Sequence, residues 1–176
     1  MDMRTLIIYN SSTGFTKRYA YWLQEEIEAD VVSINDEFEL DGYDQIVFGG
    51  WAHGGTIKGL SWFKKKIEGI KDKTLVVFCV GASPIGNEDI ADALENNLPS
   101  DTYGHIHRFY CPGGINYSKM PLTSKMMMRG LVGFFRLKRN KTQKEIEMAE
   151  MISKSYDISD KKYLDPIIEV LVEKSE

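Results

Sequence analysis

The fold is decided by residues 5–16, which read TLIIYNSSTGFT. Residues 5–9 form an apolar run typical of a strand that is buried on both faces of a parallel sheet. A short polar loop follows, and apolar residues at helical spacing begin directly after it, at Phe15, Tyr19, Trp22, Leu23 and Ile27. This order of strand, polar loop and helix predicts a βα unit.

The same alternation continues along the chain of 176 residues. Further strands are predicted at 31–34, 45–48, 75–80 and 107–111, with helices between them. Two more helices are predicted near the end, at about 143–156 and from Asp165, where Pro166 takes the first helical position. The pattern predicts a single α/β domain over residues 1–176, with a parallel sheet covered by helices on both faces.

The composition is that of an ordinary globular protein, with 43% hydrophobic and 27% charged residues, and it excludes disorder or a fibrous repeat. Two cysteines exclude a disulfide framework, and we expect Cys79 to be a packing residue and Cys111 to lie beside the site. The three histidines lack metal-ligand spacing, so no metal is expected. With neither a signal-peptide pattern nor an apolar run of about 20 residues, we expect a cytoplasmic protein.

The loop after the first strand has the composition of a phosphate site. It supplies Ser11, Ser12, Thr13, Gly14, Phe15 and Thr16. Four hydroxyls, a glycine that permits close approach and the unpaired N–H groups of a helix start all favour an anion. The Gly-Lys-Ser/Thr ending of nucleotide-binding P-loops and the G-x-G-x-x-G pattern of dinucleotide sites are both missing. The loop therefore predicts a small monophosphate held without metal, with a plain Ser/Thr helix cap as the alternative.

The loops after later strands should meet this one, because ligands bind beyond the carboxyl ends of parallel strands. They supply Trp51, Ala52, His53, Gly54 and Gly55 after the third strand, Ala82, Ser83 and Pro84 after the fourth, and Gly113 and Gly114 after the fifth. Trp51 is predicted to stack on a flat ligand, with simple packing as the alternative. Gly54 or Gly55 could flip a peptide. No catalytic residue is assigned.

These loops resemble those of the flavodoxin family over about residues 4–117. Residues 9–16 match the family's phosphate-loop pattern Y-x-S-x-T-G-x-T, residues 49–57 look like its second flavin loop, and residues 82–84 stand where the third should be. The resemblance implies a flavodoxin-like, doubly wound, five-stranded parallel sheet of order 2-1-3-4-5 and bound FMN. A narrower resemblance is to menaquinone-dependent protoporphyrinogen oxidases, which also have a basic insertion after strand five.

The insertion, at about residues 117–142, lies within a strongly basic segment. Residues 102–144 contain nine Lys or Arg and no Asp or Glu. Helical spacing places Lys125, Arg129, Arg136 and Arg139 on one face and Met127, Met128, Leu131, Phe134 and Phe135 on the opposite face. Such a helix suits an anionic membrane surface, contacted peripherally through residues 119–144, or an acidic partner. The alternative is that it packs on the body and its cations are solvated.

The sequence thus predicts an FMN-binding flavoprotein that carries out electron transfer or oxidoreduction. An enzyme similar to protoporphyrinogen oxidase would take a flat substrate of the quinone or porphyrin class, and the cations could pair with its carboxylates. The alternatives are a soluble electron carrier of the flavodoxin type and a non-enzymatic docking module with an empty flavin pocket. We expect a redox partner or small flat substrate, and no nucleic acid.

Overall fold

The computed structural model describes residues 3–87 and 89–173 and contains a five-stranded parallel sheet. Its strands are β1 (Thr5–Tyr9), β2 (Ala29–Ser33), β3 (Gln45–His53), β5 (Thr74–Gly81) and β6 (Ile106–Pro112). A short strand β4 (Thr56–Ile57) pairs antiparallel with the end of β3. The strand order is β2-β1-β3-β5-β6. This confirms the α/β fold and the predicted order 2-1-3-4-5, in which the fourth and fifth predicted strands are β5 and β6.

The helices are α1 (Phe15–Glu26), α2 (Leu60–Lys66), α3 (Asp89–Asn97), α4 (Ser100–Tyr103), α5 (Leu122–Leu137), α6 (Gln143–Ile152) and α7 (Asp165–Glu173). The basic insertion is helical, as predicted, and α5 is its helix. The prediction that Arg139 lies on the basic face of this helix is wrong, because α5 ends at Leu137. The prediction that the next helix reaches Tyr156 is wrong. Helix α6 ends at Ile152, and residues 156–157 form a strand, β8, that pairs antiparallel with β7 (Gly114–Ile115).

The sheet is covered on both faces because its central strands β1, β3 and β5 are apolar and buried over most of their length. Ile7, Val47 and Val76 lie side by side in register and point to one face, where α1 and α7 pack. Ile8 and Phe48 point to the other face, where α2 packs. Alternate residues of a strand face opposite sides of a sheet, so the continuous apolar runs fill two separate cores.

The pair Gly49–Gly50 lies inside β3 and is buried, whereas the sequence suggested a loop there. A Cβ on Gly49 would come within 2.2 Å of the Phe78 ring, and one on Gly50 within 2.6 Å of the Ile57 side chain. Neither glycine is therefore replaceable without moving its neighbour. Their role is to let large side chains pack against the strand, not to admit a ligand.

A third, smaller core attaches the insertion to the sheet. Ile115 of β7, Val132 of α5 and Ile152 of α6 are its buried members. The ladder between β7 and β8 pairs Ile115 with Tyr156, so both ends of the segment 116–155 are fixed at one point. Among the residues that the structure describes, no helix is long and apolar enough to cross a membrane.

Candidate functional site

A cavity of about 390 Å³ lies beyond the carboxyl ends of β1, β3, β5 and β6. Its volume falls within the range of small-molecule sites. Eleven of the predicted site residues line it, namely Ser11, Ser12, Thr13, Phe15, Thr16, Trp51, Ala52, His53, Gly54, Ala82 and Gly114. The structure therefore brings loops from four strands together at the edge where the sequence placed the site.

The loop at residues 11–16 is open for an anion. No side chain caps α1, and the N-cap position is held by Gly14 with a φ of 100°. The plain capping interpretation of the serines and threonines therefore does not hold. Ser11 accepts a hydrogen bond from the Gly14 N–H (3.2 Å). The hydroxyls of Thr13 and Thr16 have no hydrogen-bond partner in the described part of the chain, so both can donate to a ligand.

Lys119 brings a positive charge to this loop, a role that the sequence did not single out. A Cβ on Gly14 would lie 3.9 Å from the Lys119 ammonium nitrogen. Gly14 itself faces this ammonium and does not line the cavity. The loop thus combines free hydroxyls, the first turn of α1 and a cation, which is the chemistry that binds a phosphate. Lys119 is distant from this loop in sequence, and the sequence identified it only as one of the cations of the basic segment.

The end of β3 continues into a hairpin that forms one wall of the cavity. Ala52 pairs with Ile57 and His53 with Thr56, so Gly54 and Gly55 form the two-residue turn, with φ of 56° and 77°. Two successive positive φ angles are the mark of a type I′ turn and favour glycine. The rings of Trp51 and His53 meet edge to face at 5.2 Å, so Trp51 stands at the cavity with its ring supported.

Asn97, at the end of α3, holds this hairpin in place. Its amide nitrogen donates to the Gly55 carbonyl (2.8 Å), and its amide oxygen accepts from the Ile57 N–H (3.0 Å). Gly55 is turned toward α3 and lines a second cavity of about 240 Å³. The two cavities share Ala52, Gly81 and Ala82. The sequence carried no sign of the Asn97 contact, which links positions 40 residues or more apart.

The loop after β5 contributes less to the cavity than the sequence suggested. The carbonyl oxygens of Ala82 and Ser83 are already engaged, because Tyr156 donates to that of Ala82 and Tyr110 to that of Ser83, each at 2.7 Å. Burial raises the pKa of Tyr156 to about 12, which keeps this phenol a donor. Ser83 lines the second cavity, and Pro84 is exposed and lines neither.

The two glycines after β6 have structural reasons of their own. The Gly113 N–H donates to Gly81, and a Cβ on Gly113 would come within 2.6 Å of Val80. Gly113 is therefore buried behind the cavity wall. Gly114 lines the cavity, and a Cβ there would lie 2.1 Å from the Tyr156 carbonyl oxygen. Its missing side chain lets β8 pack against β7.

The apolar side of the insertion closes the cavity. Met127, Met128 and Leu131 of α5 line it, together with Ser124. Met127, Met128 and Leu131 belong to the apolar face that helical spacing predicted for this helix. Methionine adapts its shape to the ligand that it contacts. The cavity consequently has hydroxyls at one end, an indole on one side and flexible apolar side chains on another.

Neither cysteine has the properties of a redox group. Burial raises the pKa of the Cys79 thiol to about 12 and also raises that of Cys111. Both thiols therefore stay protonated and unreactive at neutral pH. Cys111 belongs to β6, is buried in the core beneath α1 and α7, and does not line the cavity. Among residues 3–87 and 89–173, no group of three or more His, Cys, Asp or Glu side chains is arranged to hold a metal ion.

A parallel sheet of this order, with an anion loop after β1 and an apolar cavity beside it, defines the class of flavodoxin-like domains. The flavodoxin-domain family model matches residues 6–145, and the chain belongs to that family. This confirms the family predicted from the loops, and family and cavity together support the predicted cofactor, FMN.

The chain is similar to a flavodoxin-like domain-containing protein, BilS, of Clostridioides difficile. The two are 31% identical over 122 residues, which cover 64% of this chain and 68% of the relative. Among solved structures, it is similar to a flavoprotein in complex with FMN from Lactobacillus acidophilus, with 15% identity, a TM-score of 0.47 and coverage of 62% of this chain and 92% of the other. It is also similar to a flavodoxin from the domain Archaea, with 16% identity, a TM-score of 0.38 and coverage of 86% and 100%.

Proposed function

We propose that this protein binds FMN and transfers electrons through it. The observation that carries the proposal is the loop at residues 11–16. Its free hydroxyls and the uncapped start of α1 face a cavity with the indole of Trp51 on its wall. The loop would hold the FMN phosphate, and Trp51 would lie against the flavin. The flavin supplies the redox chemistry when it is bound, and the protein binds and orients it.

The protein's own residues would also keep water from the flavin. Met127, Met128 and Leu131 of α5 cover the cavity, and among the residues that the structure describes no acidic side chain lines it. An apolar cover lowers the local dielectric and strengthens the electrostatic interactions around a bound cofactor. The wall that these three side chains form is flexible, and it suits a flat apolar substrate that enters beside α5. This favours an FMN-dependent oxidoreductase acting on a molecule of the quinone or porphyrin class, as in protoporphyrinogen oxidase-like enzymes.

A soluble electron carrier is the second candidate. The feature that supports it is the short hairpin at Gly54–Gly55, which is exposed at the rim of the cavity and is small enough for a redox partner to approach. The two candidates differ in their use of α5. An enzyme needs the apolar wall for its substrate, whereas a carrier does not. Reduced protein that is reoxidised by a soluble quinone, at a rate that falls when Leu131 is changed to Asn, would favour the enzyme.

The test of FMN binding is the visible spectrum of the purified protein, followed by titration of the apoprotein. Thr13→Ala with Thr16→Ala should weaken FMN binding by roughly 2–5 kcal/mol, since hydrogen bonds to a charged group contribute about 1.5–3 kcal/mol each. Riboflavin, which lacks the phosphate, should bind the variant and the parent equally.

The matched control is Ser61→Ala with Thr123→Ala, which removes two exposed hydroxyls away from the cavity. It should leave the FMN dissociation constant unchanged. Protein that remains colourless after incubation with FMN and desalting would contradict the proposal. An FMN affinity that does not respond to the threonine substitutions would place the phosphate elsewhere.

A further inference from the structure

The solvent-facing side of α5 is apolar, where a surface helix normally carries its charged residues. Its large side chains are Leu122, Met126, Phe134 and Leu137, exposed to 70%, 65%, 63% and 85%. Gly130 and Gly133 complete this side, which we call the outer face of α5. Val132, on the opposite side, is buried against α6. Helix α5 therefore has two apolar sides, and only the inner one is covered within the described residues.

The cations of α5 gather on the flank between these two sides. Lys125, Arg129 and Arg136 line a recess of about 580 Å³ between α5 and the residues that follow α6. The other polar groups of the recess are hydroxyls, from Tyr117, Ser118, Ser153 and Ser155. In the described part of the chain, no acidic side chain lines the recess and none of the three cations forms an ion pair. The ammonium and guanidinium groups are the donors that suit a phosphate. Of the four hydroxyls, those of Tyr117, Ser118 and Ser153 already donate within the protein, so the hydroxyl that remains to donate to a ligand is that of Ser155.

We propose that α5 docks on the surface of an anionic phospholipid bilayer. The outer face would enter the boundary between headgroups and acyl chains, and the cation-lined recess would hold a headgroup phosphate. An apolar face bordered by Lys and Arg is the arrangement of helices that lie in this boundary. Burial of the outer face against a second copy of the chain is disfavoured. Residues 102–144 carry nine cations and no acid, so two such segments would repel each other.

Docking in this way would place the cofactor cavity at the bilayer. Met127 and Leu131 line the cavity and lie on α5 beside the outer face. A flat apolar molecule dissolved in the lipid would then reach the cavity without crossing water. This consequence rests on the proposed function, whereas the docking itself does not require a bound flavin.

The test is co-sedimentation of the full chain with vesicles at low ionic strength. Vesicles of phosphatidylcholine with phosphatidylglycerol should bind the protein, those of phosphatidylcholine alone should not, and added salt should release it. A cation near an anionic surface contributes roughly fivefold to the partition coefficient. Lys125→Glu, Arg129→Glu and Arg136→Glu together should therefore lower binding by at least about 100-fold.

The matched control reverses three exposed lysines elsewhere, with the same change in net charge. Lys65→Glu, Lys66→Glu and Lys71→Glu should leave most of the vesicle binding intact. Both triple variants should retain the FMN affinity of the parent, because none of the six residues lines the cofactor cavity. An equal loss of vesicle binding in the two variants would overturn the assignment to α5.

The outer face is tested by Met126→Gln, Phe134→Gln and Leu137→Gln, which keep every charge. This variant should bind anionic vesicles several-fold more weakly, and unchanged binding would contradict insertion of the outer face. If the parent protein does not bind anionic vesicles at low ionic strength, the proposal that α5 docks on an anionic bilayer is overturned. A dimer in sedimentation velocity that the Gln variant dissociates would instead assign the face to a second copy. Inorganic phosphate bound in the recess without vesicle binding would assign the recess to a soluble phosphorylated ligand.

Discussion

Lys119 supplies the charge that the anion loop itself lacks. The two cations in the first turns of α1 have partners of their own, because Arg18 forms an ion pair with Asp157 at 2.5 Å and Lys17 lies 5.7 Å from the ring of Tyr21. The ammonium of Lys119 stands at Gly14 instead. A doubly charged phosphate at the start of α1 would thus be neutralised from a neighbouring segment of the chain.

Lys119→Met keeps most of the apolar stem and removes the charge. We expect it to weaken FMN binding by roughly 1–3 kcal/mol and to reduce the dependence of that binding on salt, because an ion pair with the phosphate is lost. Isothermal titration at two ionic strengths measures both effects. Lys119→Arg should restore most of the affinity, and Lys144→Met, an exposed lysine away from the cavity, serves as the control. A salt dependence identical to that of the parent would show that Lys119 does not meet the phosphate.

At the scale of elements, the hairpin of β3 and β4 is fixed on one side and free on the other. Asn97 holds the carbonyl of Gly55, so the peptide that joins Gly55 to Thr56 is anchored. The peptide between Gly54 and Gly55 has no such contact with residues 3–87 or 89–173, and a Cβ on either glycine would meet no atom of them within 4 Å. If a peptide of this turn rotates with the redox state of the flavin, it is the one between the two glycines.

Gly54→Ala with Gly55→Ala should shift the flavin midpoint potential while FMN still binds. Alanine is strained at positive φ by about 1–2 kcal/mol per residue, and a strain of that size in one redox form corresponds to roughly 40–80 mV for one electron. Spectroelectrochemical titration measures the shift. Gly69→Ala, at a φ of 84° with open space around it, imposes a similar strain far from the cavity and should leave the potential unchanged. If the double variant has the same flavin midpoint potential as the parent, the two glycines serve only as spacers in the turn.

The sequence predicts the sheet well because each strand is recognised from its own residues. The run at residues 75–80 needs nothing else to be identified as a buried strand, and β5 is found there. The hairpin at Gly54 was not predicted although its Gly-Gly pair is a turn signal, because its second strand, β4, is only two residues long and shows no alternation of its own. Gly55, Ser83 and Gly113 were expected at the site with their neighbours, yet they face away from the cofactor cavity. Which side of a loop meets a ligand is set by tertiary contacts that no local pattern contains.

At the scale of the whole molecule, the three hydrophobic cores have no residue in common. Helices α5 and α6 share the small core of Ile115, Val132 and Ile152, which contains no residue from the two cores of the sheet. Local stability follows the apolar contacts that a segment makes. The insertion should therefore open without unfolding the sheet.

Ile152→Ala removes a buried side chain from the small core and should destabilise α5 and α6 by roughly 2–5 kcal/mol. Amide hydrogen exchange followed by mass spectrometry should show faster exchange in residues 122–152 and unchanged protection in β3 and β5. Ile46→Ala, the same change in a core of the sheet, should lower protection across the strands as well. Equal loss of protection throughout the chain in the Ile152 variant would show that the cores unfold together.

The ladder of β7 and β8 has a consequence for protein engineering. Ile115 and Tyr156 are paired neighbours. Residues 116–155 could therefore be deleted as one unit, and a turn of about two to five residues could join the two strands. Excision would leave the hydroxyl loop and the hairpin in place and would remove Lys119, the apolar wall and the outer face of α5 in one cut. The same junction would accept a cassette from another member of the family, so that one sheet could be given different substrates or different surfaces to dock on.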